Sequence, residues 1–594
     1  MARLTGLILL FQCLAVSTTL LVRLSYALPV SNVVGDKAQE ALSLYNRAEL
    51  ERDRGNFDTA LTQIEDAIAI VENLRTTIPS PKLRASYFAT VQGYYQLYSD
   101  LLMQLHWQNP DQGYDAQAWE ISDRTRARNL IEHLTEAGAN IRASANPKLL
   151  EQERNLLQQL NSINHQKYQL LNRQYTEQEL NEINQKIATN LAQLDQLKTQ
   201  IRLSSPRYAA LKYPPPLTLQ EFQQQVLDED TILLEYALGE ERSYLWVVTK
   251  HSITSYQLPK RSEIESAVQN FRQSIAKSNA ANIDSGISLS RIILAPIVSQ
   301  LGNKRLLIVG DGALQYVPFA ALPIPSSPTT PLLARNEIIT LPSASLIAIQ
   351  RQQFKNRPIA KNVAVIADPV FTLNDPRLPN PAKNSAQSLP TKDLELGEEG
   401  VIFNRLPYTR IEAEKILAFV PENQRLPALD FEAERSTVTN PNLAESKIIH
   451  FATHMVLDPI QPELSEIVLS LYDRNGKPQD GFLRLYEIFN LNLPAELVVL
   501  SGSETSLGKD VKGEGLIGLA KGFLSAGAKQ VVGSLWSVND AATSELMAKF
   551  YQKMLQGGQK PVTALREAQL EMWNSGQWQS PYYWAAFTVQ GDWQ

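Results

Sequence analysis

The strongest constraint on this chain lies in its C-terminal half, where short apolar runs take turns with amphipathic segments. "RLLIVGD", "VAVIADPVF", "KIIHFATH", "EIVLSLYD", "ELVVLSGS" and "QVVGSLW" are apolar runs that end in polar or turn-forming residues. Between them, "YTRIEAEKILAFV", "GLIGLAKGFLSAG" and "DAATSELMAKFYQKML" place apolar residues at helical spacing. A strand that is apolar on both faces needs cover on both faces, and alternating helices supply it. The pattern therefore predicts an α/β domain with a mostly parallel sheet. Reactive groups in such a sheet gather at the C-terminal strand ends. "TILLEYAL", "SYLWVVT" and "SITSYQL" extend the strand-like texture upstream, so the domain is expected over 214–594. Within it, 376–399 is rich in Pro, Asn and Ser and reads as a disordered insert.

The region before this domain reads as helical. Between Ala38 and Leu74 the residues Leu44, Tyr45, Ala48, Gly55, Phe57, Ala60, Leu61, Ala67 and Ile68 stand at the spacings of a tetratricopeptide repeat. Small residues let two helices approach and Gly55 makes the turn; a generic helical hairpin is the alternative. "ASYFATVQGYYQLYSDLLMQL" and "AWEISDRTRARNLIEHL" continue as degenerate helices, so the array is expected over 36–140. Leu149, Leu156, Ile163 and Leu170 then recur at heptad spacing, as do Leu180, Ile187, Leu194 and Ile201. Thr176 with Glu179 offers a capping box between the two series. A long antiparallel helical hairpin of coiled-coil type over 147–203 is the expectation; one continuous coiled coil with a partner chain is the alternative. "YPPPLTL" breaks the helix and reads as a linker.

Several function classes are excluded or weakened. The 594 residues carry a net charge of −6, so no basic surplus exists to neutralise phosphates, and nucleic acid is not the expected partner. The single cysteine, Cys13, lies in the N-terminal apolar run. The rest of the chain therefore forms no disulfide, thiolate zinc site or cysteine nucleophile. No Walker loop, H-E-x-x-H or paired-histidine metal pattern occurs, and no cofactor is expected. Gly513, Gly515 and Gly518 fit G-x-G-x-x-G, but a polar loop separates them from the strand, which a dinucleotide site does not allow. At the N-terminus, Arg3 precedes an uncharged run from Leu4 to Val22, and Ser25 and Ala27 are small residues before a cleavage point. Residues 1–27 read as an export signal, with an uncleaved membrane anchor or a buried helix as alternatives.

The chemistry-bearing residues stand at two strand ends. "IIHFATHM" closes on His454 and "VVLSGSETS" on Ser503. On parallel strands they share one sheet edge, and a histidine beside a serine is the minimal base–nucleophile pair. His450 reads as a buried strand histidine bonded to backbone. "LLIVGDGALQYVPFAAL", "LPYTRIEAE", "HFATH", "LSGSETSLG", "GEGLIGLAKGFLSAGAKQVVGSLWSVND" and "SPYYWAAFTVQGD" together closely resemble the CHAT domain. This is a caspase- and separase-like peptidase family of clan CD, often found behind tetratricopeptide repeats in bacteria. The resemblance implies a caspase-like fold, His454 as the catalytic histidine, and Ser503 at the position of the family's nucleophilic cysteine. It also implies that Trp536 and Asp540 line the substrate cleft. Three departures stand out: Ser503 replaces the cysteine, while Met455 and Ser506 replace glycines. A hydroxyl is not ionised at neutral pH and needs a well-aligned, oriented histidine, so the expected function is a catalytically degenerate scaffold or regulator. It would bind a protein or peptide through its repeats and its cleft. An exported endopeptidase using Ser503 with His454 is the alternative.

Overall fold

A computed structural model describes residues 32–594, apart from 79, 127, 139–140, 172, 210–216, 277–282, 355–361, 380–402, 459–460, 503 and 507–513. Residues 1–27, read above as an export signal, lie outside the described residues, as does all of the 376–399 insert beyond 379. The first residues of that insert are turn, and Arg377 among them is tied to Asp368, Asp375 and Asp430. Among the described residues, no helix is long and apolar enough to cross a membrane.

The chain divides into two units, Met1–Ser122 and Asp123–Gln594. The first is helical, with helices Asn32–Asp53, Phe57–Thr76 and Pro81–Gln108 followed by most of Tyr114–Thr125. Gly55, at φ 81°, turns the first helix into the second, a conformation that favours glycine. Ala48, Ala60, Ala67 and Ile68 form its core, and Leu44, Tyr45, Phe57 and Leu61 pack against it. These are the positions read from the sequence, and the repeats are tetratricopeptide-like. Tyr45 and Tyr94 stack with ring centroids 4.5 Å apart.

The repeat array was expected to run to residue 140, yet the division falls at Ser122/Asp123. The reason lies in two side chains of "SDRTRARNL" and the helix behind them. Asp123 accepts from Ser343 Oγ at 2.8 Å, Ala344 N at 2.7 Å and Ser345 N at 3.1 Å, capping the helix Ser345–Phe354. Arg126 donates to Glu235 at 3.1 Å and to the Gly310 carbonyl at 3.2 Å. Leu130 and Leu134 of helix Arg128–Gly138 then join the core beneath the sheet.

Seventeen strands are described in the second unit. β1 (Thr231–Ala237), β2 (Ser243–Val248), β3 (Ile253–Leu258), β4 (Arg305–Val309) and β7 (Ile338–Thr340) form one side of the main sheet. β8 (Asn362–Ala367), β9 (Arg425–Leu429), β10 (Ser446–Ala452), β14 (Leu497–Leu500), β16 (Gln530–Ser534) and β17 (Phe587–Gly591) complete it. The order is β3-β2-β1-β4-β7-β17-β16-β14-β10-β8-β9. β1, β4, β7 and β17 are mutually parallel, and so are β16, β14, β10, β8 and β9. The two blocks meet antiparallel at β17 and β16. The sheet is thus mostly parallel, in two blocks of opposite direction. β10, β14 and β16 are buried almost throughout because helices cover both faces.

A smaller sheet, ordered β13-β12-β11-β15, is built from β11 (Met455–Leu457), β12 (Glu466–Val468), β13 (Phe482–Arg484) and β15 (Glu504–Ser506). "EIVLSLYD" falls here as β12, antiparallel to β11, rather than in the main sheet. No helix-length segment separates it from β10, so the chain returns as an antiparallel pair and makes no parallel crossover. β5 (Pro323–Ile324) and β6 (Ser327–Pro331) form a separate two-stranded ribbon.

Helices Pro147–Leu171 and Glu177–Ser204 form the long hairpin, with the Thr176–Glu179 capping box at the turn. Leu156, Leu160, Ile187, Leu191, Leu194, Leu197 and Ile201 fill the seam, which Leu464 and Tyr486 extend toward the smaller sheet.

Candidate functional site

The main and smaller sheets meet where β10 and β14 end. β10 pairs with β14 in parallel up to Phe451 and Leu500. Beyond them β11 pairs in parallel with β15, with Met455 opposite Glu504. His454 is therefore the residue before β11, and Ser503 is the residue before β15. Ser503 itself lies outside the described residues. Gly502 is described and buried, and a Cβ placed on it would fall 2.1 Å from the Thr453 carbonyl oxygen. Only glycine permits this approach of the two strand tips. Met455 opens a strand, and its φ is not among the positive values, which outside glycine belong only to Asp368 and Asp430 among the described residues. The turn after the histidine thus makes no demand that methionine fails to meet.

His454 is buried, with Nε2 2.7 Å from the Asn404 carbonyl oxygen. A carbonyl only accepts, so Nε2 carries the proton and Nδ1 is the basic nitrogen. Phe371 and Phe403 pack on the imidazole with ring centroids at 5.1 and 5.5 Å. Behind Phe403, Tyr168 of the hairpin stacks on Phe482 at 4.4 Å and hydrogen-bonds to Glu466. Glu466 also faces Arg484, with Oε2 3.2 Å from Nε, and both side chains are buried. Arg484 in turn donates to Asn161 of the hairpin at 2.9 Å. The smaller sheet that carries His454 on its β11 end is therefore clamped to the hairpin by a buried polar network.

The segment Phe403–Tyr408 crosses these strand ends and is tied along its length. Asn404 meets His454, and Arg405 holds Asp368 through two bonds of 2.8 Å. The Tyr408 amide donates to Asp540 at 3.1 Å. Asp540 thus caps the helix Pro407–Ala418 while standing first in its own helix, Asp540–Tyr551. Burial, with Glu412 and Asp368 nearby, pushes its carboxyl up to about 6. Trp536 is half-buried, and its indole N–H donates to the Tyr582 carbonyl at 3.2 Å.

His450 departs from its expected role as a backbone-bonded strand histidine. Its Nε2 lies 2.8 Å from Glu412 and its Nδ1 3.0 Å from the Tyr551 hydroxyl, all three side chains being buried. The helices that supply Glu412 and Tyr551 cover this face of β10, so side chains rather than backbone face the ring: the Tyr551 hydroxyl hydrogen-bonds to Nδ1, and Glu412 stands near Nε2. Sequence reasoning also missed Asn404, because a backbone carbonyl leaves no mark on residue identity. Asp368 and Arg405 were missed as well, although the Asp-Pro stop after β8 was visible. Among the described residues, no group of three or more His, Cys, Asp or Glu is placed to hold a metal.

The CHAT domain family matches residues 284–592, more than half of the chain. Human tetratricopeptide repeat protein 28 is 27% identical over 325 residues, which cover 49% of this chain and 12% of that protein. Its mouse counterpart is 25% identical over 321 residues, with the same coverage of 49% and 12%. The match thus spans about an eighth of the length of these relatives, both of which are eukaryotic. Among solved structures, a Saccharomyces cerevisiae separase–securin complex aligns with a TM-score of 0.41 at 10% identity, covering 95% of this chain and 54% of that one. The Arg-specific cysteine proteinase gingipain R aligns with a TM-score of 0.30 at 12% identity, covering 56% of this chain and 74% of that one.

Proposed function

The chain belongs to the CHAT domain family, and we propose that it is a catalytically degenerate peptidase homologue that works as a protein-binding regulator. Its tetratricopeptide-like repeats and its caspase-like cleft each take a protein or peptide. The observation that carries the reading is the partner of His454 Nε2. That partner is a neutral carbonyl. A carbonyl orients an imidazole well enough for a thiol, which is partly ionised near neutral pH. A hydroxyl gives up its proton only as it attacks, and the imidazolium then formed is best stabilised by a carboxylate. Position 503 holds serine, and Cys13 is the chain's single cysteine. The site frame thus suits sulfur, and the nucleophile position lacks it.

A fluorophosphonate probe tests the reading on the full chain. Wild type is expected to remain unlabelled, while Ser503→Cys gains reactivity toward a thiol-directed peptidyl electrophile, and His454→Ala removes that gain. Labelling of wild type that Ser503→Ala abolishes would overturn it.

A second reading, an endopeptidase using Ser503 with His454 as base, is favoured by one observation. The ladder that sets Met455 opposite Glu504, with Gly502 against the Thr453 carbonyl, brings the two loops together. The same experiment decides between them. Export through residues 1–27 belongs to the proposal too, and a reporter fused to residues 1–30 tests it: retention inside the cell would refute it.

A further inference from the structure

We propose that the Arg405–Asp368 pair is the positioning device of His454, holding the Asn404 carbonyl in the orientation that keeps the proton on Nε2. The proposal rests on the reading of His454 as the site's base and says what makes it one.

The Asn404 carbonyl and the Arg405 amide belong to one planar unit that ends on the Arg405 Cα, so an anchor on Arg405 restrains that unit at one end. The Arg405 guanidinium meets Asp368 in a two-pronged contact, Nε to Oδ1 and Nη2 to Oδ2, both at 2.8 Å. This geometry restricts rotation as well as distance. Asp368 is itself immobilised. It is 1% exposed, and Arg377 Nη1 binds its carbonyl at 2.7 Å and its carboxylate at 3.0 Å. Its φ is 51°, directly before Pro369, a strained combination for a residue with a side chain.

β8 pairs with β10 up to Ala367 opposite Ala452. Asp368 and the Thr453–His454 tip therefore leave neighbouring strands at the same edge. The anchor and the histidine share one rigid platform, and Asn404 bridges them. On its other side the carbonyl is flanked by Phe403, packed against the imidazole at 5.5 Å and near Phe371 at 6.1 Å. Arg405 is the polar half of that grip. A neutral imidazole in water samples both tautomers; here an acceptor 2.7 Å from Nε2 favours one of them.

Histidine-selective ¹⁵N labelling of the full chain, read by long-range ¹H–¹⁵N correlation, tests this without requiring hydrolysis. His454 is assigned by the signals lost in His454→Gln. Wild type is expected to show a protonated Nε2 and an unprotonated Nδ1. Arg405→Gln and Asp368→Asn should both lose that fixed pattern to an averaged one. Arg410→Gln, which removes contacts to Asp430 and Glu414 but none to Asp368, should keep it. A lower melting temperature with an unchanged pattern would mark a merely structural ion pair and overturn the proposal, as would an averaged pattern in wild type. Should both variants unfold, Arg405→Lys decides in the same spectrum, because it keeps the charge and loses the two-pronged geometry. A fluorophosphonate result against the degenerate reading leaves these imidazole signals unaffected, so the two failures are told apart.

Discussion

Gly502→Ala should open the join between the two sheets. The added methyl would stand 2.1 Å from the Thr453 carbonyl oxygen and 3.3 Å from the Met455 Cε. A carbon–oxygen contact settles at roughly 3.3 Å, so the strand tips must separate by about 1.2 Å. The methionine can swing aside, but the oxygen is backbone and cannot. Thr453 is held by its hydroxyl on the Val468 carbonyl at 2.5 Å, and the Val468 amide donates to the His454 carbonyl at 2.9 Å. Overpacking costs about 1–3 kcal/mol where neighbours relax, and a fixed backbone partner puts this case at the upper end, about 3 kcal/mol. The loss of glycine's freedom in the unfolded chain returns at most about 1 kcal/mol. At about 2 °C per kcal/mol for a large unit, the melt of Asp123–Gln594 should fall by about 4–6 °C. Hydrogen exchange should quicken first in Met455–Leu457, whose ladder with Glu504–Ser506 is the nearest to give. A melt within about 1 °C of wild type, with unchanged exchange in that peptide, would refute the close approach.

Asp123→Ala leaves the amides of Ala344 and Ser345 without their buried carboxylate, and two such bonds to a charged acceptor predict a loss of about 3 kcal/mol in the second unit, read by urea unfolding with the first unit unchanged. Arg484→Met strands Glu466 in the interior and should cost about 3–5 kcal/mol, whereas the double variant with Glu466→Leu should recover most of it; an equal loss in both would mean that the pair is not coupled. For Asp540 the sign follows from a carboxyl pushed up to about 6: between pH 4 and 6 the folded chain keeps a proton that the unfolded chain releases, so this group's contribution to stability falls as pH rises through that window. Asp540→Asn should therefore gain stability relative to wild type from pH 4 to pH 6 and hold level above it, and a difference that is flat across the window would refute the assignment.

Much of the architecture was legible because it is written in side-chain periodicity. Ala48, Ala60 and Ala67 mark close helix approach, and they are the residues found buried in the first unit. The apolar runs that become β10, β14 and β16 announce cover on both faces. Strand direction is another matter. A run buried on both sides has the same composition whichever way it points, so the reversal between β17 and β16 left no sign. The destinations of Asp123 and Arg126 were hidden for a similar reason: on a helix they resemble a solvated charged face, and only the fold shows that they dock on Ser343–Ser345 and Glu235.

The site divides along the same line. His454 and Ser503 could be read as the candidate pair because each stands at the end of an apolar, strand-like run. What orients His454 was invisible, because it is a carbonyl, and every residue has one. The consequence is physical. A site whose base is aimed by backbone can keep its frame after its nucleophile changes, since no single substitution at 503 removes the Asn404 oxygen or the approach of Gly502 to Thr453. Such a cleft can persist as a binding surface while the chemistry lapses. Ser503→Cys is then the decisive perturbation: if the frame has been kept, sulfur alone should restore reactivity, and if sulfur restores nothing, the frame itself has drifted.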